Sequence, residues 1–281
     1  MKHRAIKNLI QLNSAEFIKE VSVGLEKIYE SCEALHRSSL TLEKNEEYRG
    51  ARIIESVAKE EAAKFLILID AIRCPKKQQK LLSRQLDKFN EHLAKGIYAK
   101  MCSWRPDTYV SLSRYIDREL EEFYLDGPEG VEWIFRNSII SNREESMYVD
   151  YVQYEEDSHT WLTPKRFEDI GIGISSYNSA VEMAKAFYLT GVSSEASLAL
   201  FAEYWRNFEF SPKTHYQEFR KANLGSLDLL DERGLLKEAP DSCYSLLINE
   251  MPFPVYKESM RMNHVSINEL KEVQKNWSSE C

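Results

Sequence analysis

The sequence has no long apolar run, and this absence excludes a protein that spans the membrane with an α-helix. Its 281 residues have a mean hydropathy of -0.48, and 29% of them are charged. No stretch approaches the roughly 20 apolar residues that a membrane-spanning helix needs. The basic start, residues 1–4, is followed by an apolar stretch that Lys7 and Asn8 interrupt, which is too polar for a secretory signal. We therefore predict a cytoplasmic protein without membrane contact.

Cysteine is scarce, and the few cysteines are scattered along the chain. Their number is odd, and they form no C-x-x-C pair. The five cysteines are Cys32, Cys74, Cys102, Cys243 and Cys281. This pattern predicts reduced thiols rather than a disulfide framework or a zinc site. The acidic residues 155–157 beside His159 are typical of a solvated loop. We expect no bound metal.

Three familiar catalytic motifs are also missing. The sequence contains no glycine-rich phosphate loop, no G-x-S-x-G elbow and no H-E-x-x-H helix. Their absence argues against a P-loop nucleotide hydrolase, an α/β-hydrolase and a zincin protease. We expect no cofactor.

The charge is unevenly distributed along the chain. The net charge is -8, yet residues 1–105 carry 20 Lys and Arg against 14 Asp and Glu, whereas residues 106–281 carry 17 against 31. Within the first part, residues 71–105 hold nine basic groups and only two acidic ones. Such a segment attracts polyanions even in an acidic protein. A solvated basic helix face explains the same charges.

Three long helices are predicted in the N-terminal part. The first begins at Asn13, where Glu16 three residues on completes a capping-box pattern. Apolar residues then recur every three or four positions, which is helical spacing. The second helix follows residue 45 and ends before a proline at 75, and the third covers 77–102. Long helices joined by short loops favour an antiparallel bundle.

The signals after residue 106 are mixed. Asp107 is a candidate cap for a helix that reaches residue 124, and a glycine- and proline-rich break follows at 126–130. A segment rich in Tyr and Val at 146–154 predicts a short β segment. Further helices are predicted at 176–190, 194–208, 213–232 and 265–277. The fold class is thus all-α, with a helical bundle at 1–126 and an acidic, mainly helical region at 127–281, or one continuous domain.

Glu61 is an anomaly in the second helix. It lies near the middle of an apolar arc, whereas the opposite face carries the polar side chains of Arg52, Glu55, Lys59 and Asp70. A carboxylate on a core stripe is costly unless it has a partner. Lys64, one turn on, is the nearest candidate, although Glu60 and Lys64 also form an ordinary i, i+4 pair. Glu61 fits either a buried bridge between helices or a functional site.

The third helix adds a histidine with basic neighbours. His92 lies at the edge of the apolar face, and the same flank carries Arg84, Lys88 and Lys95. Imidazole exchanges protons near neutral pH, and the neighbouring cations can hold a phosphate. RNA is cleaved without a metal when its 2′-hydroxyl attacks the adjacent phosphate. A structural histidine at a helix border explains the same residue.

The order of these segments resembles a known family. Residues 58–65, Ala-Lys-Glu-Glu-Ala-Ala-Lys-Phe, resemble the A-x-E-E-x-x-K signature of HEPN domains. Residues 89–95, Phe-Asn-Glu-His-Leu-Ala-Lys, are similar to the H-x-x-K segment of AbiV proteins. Residues 148–150, Tyr-Val-Asp, with Trp161 and Pro164 downstream, are similar to a Y-V-D…P stretch of that family.

The resemblance implies a HEPN bundle, a homodimer with its cleft at the interface, and a role in abortive infection of phage-infected cells. It further implies a metal-independent ribonuclease that acts as a toxin, with RNA and a phage-encoded activator protein as partners. His92 and Lys95 would be catalytic, with Glu61 and Lys64 orienting the site. Arg84 and Lys88 would hold phosphate.

The sequence departs from the R-x(4–6)-H pattern of HEPN ribonucleases. Seven residues separate Arg84 from His92, and no closer arginine precedes this histidine. Ribonuclease activity then requires Lys88, Lys95 or the Glu61–Lys64 pair to take over the role of the arginine. Two further hypotheses remain open: a non-enzymatic protein that binds a phage or host protein and blocks translation, and a HEPN antitoxin.

Overall fold

The computed structural model describes residues 5–121, 137–155, 158–164, 179–262 and 266. Helices make up most of it: α1 (Ser14–Lys44), α2 (Tyr48–Arg73), α3 (Gln79–Asp87), α4 (His92–Met101), α5 (Tyr109–Glu119), α6 (Ser138–Met147), α7 (Ser179–Leu189), α8 (Glu195–Arg206), α9 (Tyr216–Glu232) and α10 (Asp241–Glu250). Strands β1 (Asp150–Glu155) and β2 (Ser158–Leu162) form one antiparallel hairpin. The all-α fold with a β segment near 146–154 is confirmed. The break predicted at 126–130 and most of the helix predicted at 265–277 lie outside the described residues.

Helices α1 and α2 pack against each other in antiparallel orientation. Asn13 caps α1 as predicted, because its side chain accepts a hydrogen bond from the Glu16 amide at 3.0 Å and the Glu16 carboxylate accepts one from the Asn13 amide at 3.2 Å. Gly24, near the start of α1, faces Leu68, near the end of α2. The absence of a side chain at Gly24 lets the two helices approach closely.

Helix α2 lies at the centre of the molecule and is buried on nearly every side towards its C-terminal end. It contacts α1, α4, α7 and α8, and residues 65–73 are all buried. The prediction of a polar face opposite the apolar arc is therefore wrong in part. Glu55 is 5% exposed and Asp70 is inaccessible, because other helices cover that face as well.

The prediction of one continuous third helix at 77–102 is wrong. It consists of α3, a 3-10 turn at Lys88–Asn90 and α4, with Glu91 extended between the turn and α4 (φ -91°, ψ 120°). Gln85 lies at this change of direction, and its side chain donates hydrogen bonds to the Ile67 carbonyl at 2.9 Å and to Tyr98 Oη at 2.7 Å. These bonds fix α3 to α2 and α4, and the break makes His92 the first residue of α4.

The other predicted helices shift at their ends. Thr108, rather than Asp107, caps α5, since its Oγ1 accepts a hydrogen bond from the Ser111 amide at 3.3 Å. Helix α5 ends at Glu119 instead of residue 124, and neither α6 nor α10 was predicted. In the described part of the chain, no helix is both long and apolar enough to span a bilayer.

The segment 251–256 runs through the core beside α2. Asp70 accepts a hydrogen bond from the Val255 amide at 2.9 Å, and Arg73 donates one to the Pro252 carbonyl at 2.9 Å. Lys88 Nζ donates to the Val255 carbonyl at 2.7 Å. Buried residues on both sides of position 126 therefore belong to one apolar core. The domain boundary near 126 stays a prediction.

Candidate functional site

A cleft of about 1550 Å³ lies between α2, α4 and α6, and residues 258–262 form a further wall. Nine lysine and arginine residues line it against six aspartate and glutamate residues. The break between α3 and α4 turns the first residues of α4 towards this space. The cleft is large enough for several nucleotide-sized groups and has an excess of positive charge.

Glu60, on α2, is the centre of a charged cluster in this cleft. Its Oε2 accepts hydrogen bonds from Lys95 Nζ at 2.6 Å and from His92 Nδ1 at 2.9 Å. Its Oε1 accepts one from Arg143 Nε at 2.8 Å. Helices α2, α4 and α6 are thus joined by charge-assisted hydrogen bonds, which are the stronger kind.

Glu60 also selects the tautomer of His92. An ionised carboxylate only accepts hydrogen bonds, so the hydrogen of the neutral imidazole lies on Nδ1. The other nitrogen, Nε2, is then unprotonated and has no hydrogen-bond partner among the described residues. Half of the His92 side chain is exposed, so a bound molecule can transfer a proton to Nε2.

The charge state of Glu60 follows from its surroundings. Burial acts to raise the pKa of this carboxyl, but the hydrogen bonds and charges of Lys95 and His92 outweigh burial and lower the pKa below its usual value. Glu60 is therefore ionised at neutral pH. The Lys95 side chain is only 6% exposed, and Glu60 supplies the counter-charge that its ammonium needs.

Helix α4 places His92 and Lys95 on one side by its geometry. The two residues are three positions apart, so their side chains are neighbours on the helix surface, and Lys95 Nζ lies 3.3 Å from His92 Nδ1. His92 is the first residue of the helix, where the unpaired amides carry a partial positive charge. This end of α4 favours an anion.

Two of the sequence-predicted residues lie away from this cluster. Lys64 forms an ion pair with Glu61, its neighbour on α2, and the Lys64 ammonium lies 5.5 Å from the centre of the Phe89 ring. In the described part of the chain neither Glu61 nor Lys64 lines the cleft. The structure brings His92 and Lys95 together with Glu60 instead.

The two predicted phosphate-binding residues differ in accessibility. Arg84 is exposed and lines the cleft. Lys88 also borders it but is 4% exposed, and its Nζ donates to Gln85 Oε1 at 2.9 Å and to the Val255 carbonyl. Burial lowers the pKa of Lys88 to about 8. Because the Lys88 ammonium already donates these two hydrogen bonds inside the protein, it is not available to a phosphate in the cleft.

Some cations of the cleft have no ion pair in the described part of the chain. Three exposed basic residues that line it have no ion pair within the described ranges: Lys59, Arg84 and Arg261. By contrast, Lys7 pairs with Asp87 at 2.5 Å and Lys100 with Glu119 at 2.6 Å. No group of three or more potential metal ligands was found among the described residues. The cleft thus offers proton transfer and unpaired cations.

Sequence reasoning missed Glu60 and Arg143. In the sequence, Glu60 is only the i, i+4 partner that accounts for Lys64. No local pattern connects Glu60 with His92 and Lys95, which lie 32 and 35 positions away. Arg143 had no local signal, because 83 positions separate it from Glu60. Only the packing of α6 against α2 and α4 brings it to the cluster.

Residues 20–187 match the sequence model of the AbiV family of HEPN domains. The match covers more than half of the chain and includes α2 to α6, the hairpin and all four members of the charged cluster. Searches of curated proteins and of solved structures gave no match.

Proposed function

The chain belongs to the AbiV family of HEPN-type abortive infection proteins, and on that premise we propose that it cleaves RNA without a metal in the cleft around Glu60 and His92. The observation that carries this proposal is the position of His92. Glu60 fixes its Nδ1, and among the described residues its other nitrogen has no hydrogen-bond partner. The cleft that contains it is also lined by the exposed cations Lys59, Arg84 and Arg261. A base next to a phosphate-binding surface is what RNA transesterification requires.

The proposed step uses the RNA's own 2′-hydroxyl as the nucleophile. His92 Nε2 accepts the hydroxyl proton while the 2′-oxygen attacks the adjacent phosphorus atom. The new P–O2′ bond forms as the P–O5′ bond breaks, which gives a 2′,3′-cyclic phosphate. The departing 5′-oxygen takes a proton from solvent, and His92 later returns its own proton to solvent. The cations of the cleft stabilise the charge that develops on the phosphate.

Glu60 and Lys95 support this step as positioning residues. Glu60 holds the imidazole in the tautomer that leaves Nε2 free, and its negative charge stabilises the imidazolium that forms. Lys95, three residues after His92, neutralises Glu60 so that the cluster as a whole keeps positive charge. Substrate phosphates would follow the unpaired cations of the cleft, with Arg84 among them.

The test compares two adjacent glutamates together with His92. We expect His92→Ala to lower the rate of RNA cleavage about 10²–10⁴-fold, the usual contribution of a general acid or base. Glu60→Gln should also impair cleavage, whereas Glu61→Gln, its matched neighbour on α2, should retain it. The measurement is cleavage of a fluorescent single-stranded RNA in the presence of a chelator, with the fold of each variant checked by circular dichroism.

Cleavage that survives His92→Ala would overturn the proposal. Loss of cleavage in Glu61→Gln but not in Glu60→Gln would instead support Glu61 and Lys64 as the orienting pair. Homodimer formation and a phage-encoded activator stay predictions of the family resemblance, and the cytoplasmic location stays a prediction from the hydropathy of the sequence.

An exposed aromatic hairpin favours a second candidate function, the binding of another protein. Apolar side chains are more than half exposed on and just before β1 and β2: Tyr148, Val149, Tyr151 and Trp161. Tyr151 lies opposite Trp161 in the register, with ring centroids 5.0 Å apart. Clustered exposed aromatic residues often mark protein interfaces.

The two functions differ in which variants lose toxicity. If binding through the hairpin blocks growth, the Tyr151→Ser/Trp161→Ser variant should lose growth arrest, while His92→Ala should keep it and total RNA should remain intact. If RNA cleavage causes the arrest, His92→Ala should lose it. Growth curves and RNA gels after induction from a tight promoter measure both.

A further inference from the structure

Arg143 and His92 both bind the Glu60 carboxylate, although no arginine stands at the R-x(4–6)-H spacing before His92 in the sequence. Resting on the proposed function, we propose that Arg143, carried by α6, is the arginine of this site and binds the reacting phosphate. The arginine nearest to His92 in the preceding sequence, Arg84, lies on α3, beyond the extended residue Glu91. Arg143 instead reaches the cluster from a different helix.

The guanidinium of Arg143 has N–H donors that its hydrogen bond to Glu60 does not use. Its Nε bonds Glu60 at 2.8 Å, and among the described residues its two terminal amino groups have no partner. A guanidinium has five N–H donors in a planar fork, and the fork matches two phosphate oxygens. The side chain is 29% exposed and lines the cleft. Arg143 can therefore keep its bond to Glu60 while it binds a phosphate beside His92.

Several contacts hold α6 in the position that this role needs. Asn137 caps the helix by accepting from the Ile139 amide at 3.1 Å, and its Nδ2 donates to the Glu119 carbonyl at 2.7 Å. At the other end, Arg49 donates to the Met147 carbonyl at 3.0 Å. Arg143 lies between these two anchors, so the helix delivers it to Glu60 in a fixed orientation.

Gly96 makes the close approach of α4 and α6 possible. A Cβ atom at Gly96 would lie 2.2 Å from Cγ2 of Ile139, a distance that real atoms do not adopt. Alanine at this position should therefore push α6 away from α4 and carry Arg143 away from His92. Alanine is otherwise the better residue in a helix. Any loss of activity would then reflect the position of α6 rather than a weakened α4.

The experiment combines two ways of removing the guanidinium from the site. We expect Arg143→Gln to lower kcat for RNA cleavage about 10²-fold or more, as for the loss of one stabilising donor, and Arg143→Lys to restore only part of it. Gly96→Ala should lower kcat in the same way. Gly96→Ala/Ile139→Ala should recover activity, because the second change removes the clashing Cγ2 atom. Arg206→Gln, on the exposed surface of α8, is the matched control.

Failure of this inference can be told apart from failure of the proposed function. If His92→Ala abolishes cleavage but Arg143→Gln keeps kcat within about 3-fold of the wild-type value, Arg143 does not bind the reacting phosphate. A change of that size is smaller than the tenfold change in rate that about 1.4 kcal/mol of activation free energy produces. If the wild type cleaves no RNA, binding of a 2′-O-methyl oligonucleotide decides. Loss of one phosphate contact in Arg143→Gln should reduce the salt slope of binding by about 0.7. An unchanged slope would overturn the inference.

Discussion

The two carboxylate oxygens of Glu60 accept hydrogen bonds from the side chains of His92, Lys95 and Arg143. The pKa of Glu60 is lowered because Lys95 and His92 outweigh the effect of burial, so the stabilisation it provides is complete above the pKa of an unfolded glutamate. That stabilisation is lost as the pH falls through the lower pKa of the folded state. At neutral pH the cluster is ionised and keeps an excess of positive charge, which suits a phosphate ligand.

Lys88 gives a prediction with the same sign of pH dependence as Glu60, but in the alkaline range. Burial lowers its pKa to about 8 in the folded protein, against the ordinary lysine value of 10.5. Between these two values the unfolded chain binds more protons than the folded one, so the contribution of Lys88 to the free energy of unfolding rises with pH. We expect the stability difference between wild type and Lys88→Met to grow from pH 7 to pH 9.5, measured by urea denaturation.

The comparison of the two proteins isolates Lys88, because other groups that titrate above pH 9 are present in both. The expected growth is about 1.4 kcal/mol for each pH unit over which only the folded state has lost its proton. A stability difference that stays constant over this range would show that Lys88 has an ordinary pKa in the folded protein.

The choice between Glu60 and Glu61 shows what a residue pattern can predict. The spacing of His92 and Lys95 on one helix indicated that they act together, and they do contact each other. The apolar arc singled out Glu61 because it assumed one buried and one exposed face of α2. Several helices cover α2, so neighbouring residues such as Glu60 meet different partners. Those partners depend on packing between helices, which no local pattern contains.

At the scale of elements, local chemistry predicted the helix starts and stops better than their continuity. Asn13 and Glu16 form the capping box that their spacing predicted, and α2 ends at Arg73, two residues before Pro75. Residues 88–91, where the helix is broken, contain no glycine or proline that would indicate a break. Gln85 reaches back to the Ile67 carbonyl and to Tyr98, and these tertiary contacts outweigh the local preference for a longer helix.

The break has a consequence for the site. If residues 77–102 formed one continuous helix, Arg84 and His92 would lie on that helix, eight positions apart. With α4 as a separate helix, His92 begins it and meets Glu60 on α2. The structure thereby places the histidine and the arginine that precedes it in sequence on different helices, and α6 supplies Arg143 to the Glu60 carboxylate.

At the scale of the whole molecule, the two halves of the sequence share one core. Phe65 on α2 packs against Phe187 on α7, with ring centroids 5.9 Å apart. Asp70 and Arg73, both buried, bind backbone groups of the segment 251–256. Composition alone showed a change from basic to acidic near residue 106, but a change in surface charge does not divide a core.

This shared core predicts that residues 1–126 do not fold as an independent unit. Without α7 and the segment 251–256, the fragment would expose Phe65. Asp70 would lose the Val255 amide and Arg73 the Pro252 carbonyl, although the two keep their own ion pair, and lost hydrogen bonds are costly for polar groups of a core. We expect fragment 1–126 to unfold without a cooperative transition and to bind the dye ANS, as compact states without fixed packing do. The full chain should unfold cooperatively.

Circular dichroism at increasing urea concentration measures the transition, and ANS fluorescence measures exposed apolar surface. The four buried free thiols give an independent measure in a Cys281→Ser background: Cys32, Cys74, Cys102 and Cys243. Burial raises the pKa of Cys74 to about 12, so the folded full chain should resist a thiol reagent, whereas Cys74 of the fragment should react. A fragment that unfolds cooperatively and protects Cys74 would instead establish a separate domain at 1–126. The acidic region would then be an addition to a self-sufficient bundle, and the contacts of Asp70 with Val255 would join two domains rather than complete one.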